Sequence, residues 1–95
     1  MKESYIYILS NKNRTVLYTG VTGNLALRML SHIEGNGSEF CKKYNVNELI
    51  YYELFTDIRE AIKREKEIKG WRRGKKLVLV KSRNPYMKNL LAKDA

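Results

Sequence analysis

The sequence predicts an α/β (α+β) fold: a small three-stranded antiparallel sheet flanked by helices, in the order β-β-α-β-α-α. Three observations carry this reading. Two short aromatic and β-branched runs, Tyr5–Leu9 and Val16–Val21, are separated by a polar turn, the pattern of a β-hairpin. A third such run covers Leu49–Phe55. The two amphipathic stretches each begin behind a good helix-capping residue, Asn24 and Asp57.

Taken in order, Tyr5-Ile6-Tyr7-Ile8-Leu9 forms the first strand, and Ser10 to Arg14 is polar and turn-like. A turn centred between Lys12 and Asn13 makes residues whose numbers sum to 25 face each other, which sets Tyr7 across from Tyr18. The first helix runs from Asn24 to about Ile33 and is stopped by Gly35-Asn36-Gly37. A loop with some helical character follows, to about Asn47, and then the third strand. A second helix spans about Ile58 to Gly70, and the stretch from Trp71 to Ser82 is basic, then apolar, and reads as a short helix. Asn84-Pro85 opens a last short helix ending near Leu91, with proline at a tolerated first position. The length of 95 residues suits one domain over 1–95, with its core at about 4–91.

A hydrophobic fraction of 43% is enough for a packed core. Net charge is +9, from 19 Lys plus Arg against 10 Asp plus Glu, which favours polyanionic partners. Nucleic acid is the first candidate and an acidic membrane surface the second. The single Cys41 excludes a disulfide or a cysteine-based zinc site within this sequence. No run has membrane-spanning length, and the first apolar run is too short for a secretory signal. A cytoplasmic protein with no membrane partner is expected.

Four features sit oddly in this pattern. Glu65 falls within the stripe of Ile58, Ala61, Ile62, Ile68 and Lys69 on the second helix. It is either half of a Glu65–Lys69 ion pair or a metal ligand at the sheet edge. Arg28 and His32, four apart, flank the apolar stripe of Leu25, Ala26, Met29, Leu30 and Ile33. They suit a phosphate site, with a rigid fork of donors beside a group that exchanges protons near neutral pH, or they are a solvated arginine and a half-buried histidine. Tyr7 and Tyr18 are packed aromatics or proton carriers; in the second case a nearby cation is needed to make the phenolate accessible. Thirteen of the 19 basic residues lie from Arg59 onward. The run of Arg72, Arg73, Lys75 and Lys76 behind Trp71 is a nucleic-acid backbone surface or a solvated helix face.

Taken together these residues resemble the GIY-YIG nuclease family. Tyr5-Ile6-Tyr7 stands at its first motif and Tyr18-Thr19-Gly20 at its second. Arg28 and His32 match its helix residues, Ala61 through Glu65 to Lys69 its glutamate segment, and Asn84-Pro85 its terminal asparagine segment. The match to small stand-alone bacterial members adds Lys43-Tyr44-Asn45, Tyr51-Tyr52-Glu53 and Ile68-Lys69-Gly70-Trp71. Tyr5 and Thr19 depart from the family's glycine and isoleucine, at positions that carry no chemistry.

The resemblance implies a divalent-metal-dependent DNA endonuclease, structure-selective or weakly specific, in a setting such as DNA repair or recombination, with RNA left open as substrate. It implies Tyr7, Tyr18, Arg28, His32 and Glu65 as catalytic residues, with Mg²⁺ or Mn²⁺ on Glu65. Tyr7 would orient or deprotonate the attacking water, Tyr18 and His32 would support the proton path, and Arg28 would stabilise charge on the phosphate. Lys69, Arg72, Arg73, Lys75 and Lys76 are then the backbone contacts, and Gly20 and Asn84 play supporting roles. The Tyr7 hydroxyl is expected on the same side of the sheet as Tyr18, Arg28 and Glu65. The alternative is a catalytically silent nucleic-acid-binding module of the same fold.

Overall fold

A computed structural model describes residues 2–91. The sheet consists of β1 (Ser4–Ser10), β2 (Leu17–Thr22) and β3 (Glu48–Phe55), antiparallel in the order β2-β1-β3. The helices are α1 (Leu25–Ile33), α2 (Glu39–Tyr44), α3 (Ile58–Lys69) and α4 (Arg73–Arg83). The predicted α+β architecture is therefore present, and the segment read as a partly helical loop contains α2. No described helix is long and apolar enough to cross a membrane.

β1 is central and buried, and its side chains alternate between two cores. Ile6 and Ile8 pack with Ala61, Ile68 and Val80, so α3 and α4 cover that face. Tyr7 and Leu9 pack with Met29, Cys41 and Val46, which puts α1 and α2 on the other. The helices begin where the capping residues predict. Asn24 accepts from the Leu27 amide at 3.1 Å, and Asp57 accepts from the Arg59 amide at 2.9 Å. Ser38 caps α2 in the same way, through the Cys41 amide.

The hairpin register differs from the one expected. Tyr7 faces Gly20, and Tyr18 faces Leu9. The tight two-residue turn does not form. Instead Asn11 organises a wider loop: its Oδ1 accepts from the amides of Thr15 at 2.9 Å and Val16 at 3.0 Å, and Arg14 adopts a left-handed φ of 59°. The resulting slip is two residues, so every side chain keeps its face and Tyr7 and Tyr18 still share one.

Two further expectations are corrected. No helix forms over 84–91. Asn84 is the C-terminal cap of α4, and its buried amide takes over the local bonding. Its Nδ2 donates to the carbonyls of Ile50 and Lys88, both at 2.9 Å, and its Oδ1 accepts from the Lys88 amide. Met87 has a left-handed φ of 47°, which a helix does not tolerate. The Asn84–Ile50 bond also satisfies the residue that a register shift in β3 leaves without a partner on β1.

The orientation of α1 is the second. Of its predicted apolar stripe only Met29 is buried, while Leu30 and Ile33 are 49% and 59% exposed. They line an open groove with Tyr52 and Leu90. The helix is turned so that its Arg28–His32 flank meets the sheet, and His32 is buried in place of a leucine. On α3, likewise, Ile58 and Ile62 are exposed and Ala61 and Ile68 take the core positions.

Candidate active site

Tyr7 sits at the middle of β1 with its ring laid over Gly20. A Cβ at Gly20 would fall 2.4 Å from the Tyr7 Cζ and Oη, so only glycine admits this ring position. Arg28, on the inward flank of α1, donates from Nε to the Tyr7 hydroxyl oxygen at 3.2 Å. His32 is one turn further along the same flank. The rings of Tyr7, Tyr18 and His32 form a triangle with centroid separations of 6.5, 6.2 and 6.3 Å. Four of the five predicted catalytic residues thus converge on one face of the sheet.

Their electrostatics follow from burial and from Arg28. Burial pushes the Tyr7 phenol above its ordinary value near 10, and the hydrogen bond and charge of Arg28 offset this only in part. The cation expected beside the phenol is present, yet burial wins, and Tyr7 keeps its proton at neutral pH. The same hydrogen bond raises the Arg28 guanidinium further. His32 moves down, first from burial and then from the charge of Arg28, so it is neutral at pH 7. Both of its ring nitrogens are buried with no hydrogen-bond partner among the described residues. The ring is seated against Gly37, where a Cβ would come within 2.3 Å of Nδ1.

Glu65 is placed differently. Its helix packs on the Ile6–Ile8 face, opposite Tyr7, so the expectation of one shared face does not hold for it. The reason is that Ala61 and Ile68 are the residues that fill the core. Arg64 leans towards β3, where Nε and Nη2 bond the two Glu53 carboxylate oxygens at 3.0 and 3.1 Å. At ~100° per residue, Glu65 then lies on the opposite flank of α3, towards edge strand β2. It is largely shielded, with 13% of its side chain exposed, and its carboxylate meets Lys69 Nζ at 3.0 Å. Among the described residues no hydrogen bond or ion pair joins Glu65 to Tyr7, Tyr18, Arg28 or His32.

The basic residues divide. Arg73 donates to the backbone carbonyls of Thr15, at 3.0 Å, and Arg14, tying α4 to the hairpin loop. The Lys75 ammonium lies 4.3 Å from the Trp71 ring centre, and Arg64 lies 5.2 Å from it. Arg72 is exposed and Lys76 half-buried. Three features escaped the sequence: the Glu53–Arg64 clamp, the seat at Gly37, and Phe40, which stacks on Tyr18 at 6.0 Å. The i,i+4 spacing of Phe40 and Tyr44 was the one signal available for the last of these.

Comparison with known proteins assigns the chain to a family. Residues 3–77 match the family described as GIY-YIG catalytic domain, a span that holds Tyr7, Tyr18, Arg28, His32 and Glu65 and stops short of Asn84. A UPF0213 protein of Staphylococcus haemolyticus is 37% identical over 83 residues, 87% of this chain and 100% of the relative. A UPF0213 protein of Staphylococcus saprophyticus is 40% identical over 80 residues, 84% of this chain and 96% of the relative. The solution NMR structure of a UPF0213 protein from Bacillus halodurans superposes with a TM-score of 0.60, at 29% identity and 94% coverage of both chains. On these matches the chain belongs to the GIY-YIG catalytic domain family, alongside small bacterial UPF0213 proteins.

Proposed function

We propose that this protein is a divalent-metal-dependent endonuclease that hydrolyses phosphodiester bonds in DNA. The observation that carries the reading is the Arg28–Tyr7 contact inside a cluster closed by Tyr18 and His32. A guanidinium held against a buried phenol, beside a neutral histidine with two unpartnered nitrogens, is an arrangement for an anion and a proton. Arg28 has amino groups left over from its bond to Tyr7, and these bind the scissile phosphate and stabilise its growing charge. The Tyr7 oxygen orients the attacking water. His32, neutral at the working pH, accepts the proton that the water gives up, with the Tyr18 hydroxyl beside the path.

No three His, Cys, Asp or Glu side chains gather into a metal cage among the described residues. One carboxylate nevertheless fits Mg²⁺ or Mn²⁺, because such ions retain waters and take phosphate oxygens as further ligands. Glu65 would hold the ion after releasing Lys69, and the ion would supply Lewis-acid stabilisation of the leaving oxygen. Lys69, so released, would join Arg72, Lys75 and Lys76 as a phosphate contact.

The Glu65–Lys69 pair also favours a second reading, a catalytically silent nucleic-acid-binding module. A cleavage assay with Mg²⁺ and Mn²⁺ over labelled DNA and RNA structures, run beside Glu65→Gln, separates the two. Cleavage by the parent and its loss in the variant, with binding retained, support the nuclease. Binding without cleavage on every substrate selects the silent module, and full activity in Glu65→Gln removes Glu65 from the reaction.

A further inference from the structure

α2 carries an aromatic step that the chemistry above does not use. Phe40 and Tyr44 are one turn apart on this helix, with ring centroids 4.9 Å apart, and each is 42% exposed. Scattered exposed aromatics need no explanation, but these two are continuous with the site. Phe40 stacks on Tyr18 at 6.0 Å with the planes only 29° apart. Tyr18 in turn stands 6.5 Å from Tyr7. Four rings therefore run from the buried phenol out to solvent.

Cations accompany the outer end. Lys42 and Lys43 border the same surface depression as Phe40 and Tyr44, with Glu39 as its one acidic group. The Lys43 ammonium lies 5.4 Å from the Tyr44 ring centre, which marks a ring face open enough to hold a cation. Exposed aromatic faces interleaved with lysines are what single-stranded nucleic acid requires: bases stack on the rings and phosphates meet the charges. Paired bases inside a duplex offer no free face to such a step.

Resting on the nuclease reading above, we propose that Phe40 and Tyr44 form a base-stacking subsite for an unpaired nucleotide next to the scissile phosphate. A base takes the Tyr44 face that Lys43 now covers, and Lys43 moves to the neighbouring phosphate. The preferred substrate then has a single-stranded stretch of DNA or RNA reaching α2 while its backbone lies on Arg28.

The test uses the whole chain without metal, so that nothing is cut. Oligonucleotides carrying one 2-aminopurine, as single-stranded DNA, single-stranded RNA and blunt duplex DNA, are titrated by fluorescence quenching and by affinity. The unaltered protein should quench the single strands further and leave the already dim duplex signal unchanged. Tyr44→Ala should lose the quenching and bind single strands roughly tenfold more weakly, with duplex affinity unchanged. Tyr44→Phe, which keeps the ring, should behave like the parent. A Tyr44→Ala protein that quenches and binds as the parent does overturns the subsite, as does an equal loss on the duplex. Quenching of one single strand and not the other assigns the subsite to DNA or to RNA. If the unaltered protein binds no nucleic acid, the nuclease reading falls as well; if it binds but quenches neither single strand, only the subsite does.

Discussion

Arg28 Nε donates to the Tyr7 hydroxyl oxygen at 3.2 Å, joining the end of the first turn of α1 to the centre of β1. The contact occupies one lone pair of the phenol oxygen and directs its proton away from the guanidinium. Arg28→Ala should lower turnover by roughly a hundredfold or more, the scale for losing one charge contact to a transition state. Arg28→Lys should recover only part of this, since an ammonium cannot hold the phenol and a phosphate through one planar fork. Tyr7→Phe should lose most activity with little loss of stability. Single-turnover rates with Mg²⁺ check all three, and a fully active Arg28→Ala would reduce the contact to packing.

His32 is neutral in the fold because burial and the Arg28 charge oppose its protonation. Its folded value lies below its ordinary value near 6.5, so the unfolded chain takes up the proton first as pH falls. The stability it contributes is complete above about pH 6.5 and is lost below, through the folded value. Denaturant midpoints should decline in that window for the parent and stay flatter in His32→Gln. Plotted against pH, kcat/KM should show an acid limb with a pKa below 6.5 that His32→Ala removes. An acid limb unchanged in that variant would place the proton acceptor elsewhere.

Gly20→Ala should act through Tyr7. The added methyl would lie 2.4 Å from the phenol carbon and oxygen, and the ring, 1% exposed, has no room to retreat. We expect a stability loss of about 1–3 kcal/mol and a fall in activity as the phenol leaves Arg28. In a Tyr7→Leu background the same change should cost much less, a coupling that urea denaturation of the four proteins measures. Equal costs in both backgrounds would show that the glycine serves something other than this ring.

The sequence made the strands and the capped helices legible because alternation and capping are local, and Asn24 and Asp57 act on amides within their own first turn. It misplaced what depends on distant partners. The hairpin register was set by Asn11 side-chain bonds, the 84–91 segment by Asn84 reaching β3, and the roll of α1 by the burial of His32 against Gly37. Periodicity put Leu30 and Ile33 inwards, whereas the polar flank took that place. Arg28 and His32 were visible as a pair four apart, but their meeting with Tyr7 was visible only through the family resemblance. The position of Glu65 on the far face rests on Ala61 and Ile68 filling the core, a choice among several apolar residues that helical phase alone did not make.

The basic run beyond α3 yields a last prediction because its members are not equivalent. Arg73 is engaged with the carbonyls of Arg14 and Thr15, and Lys75 lies over Trp71, whereas Arg72 is exposed at the start of α4 without a side-chain capping bond. A phosphate contact should cost little to free from the protein, and Arg72 meets that condition best. Arg72→Ala should weaken DNA binding similarly for every sequence and make the log–log salt dependence shallower by about one counterion, with no change in stability. Arg73→Ala should chiefly lower stability, by about 1 kcal/mol, through the lost tie between α4 and the hairpin loop. Lys75→Ala should do some of both, since the ammonium is only loosely held by the indole. Salt titrations of affinity, paired with thermal melts of the three variants, read out the division. If Arg73→Ala alone made the salt slope shallower while Arg72→Ala left it unchanged, the phosphate track would run along the hairpin loop instead of the start of α4.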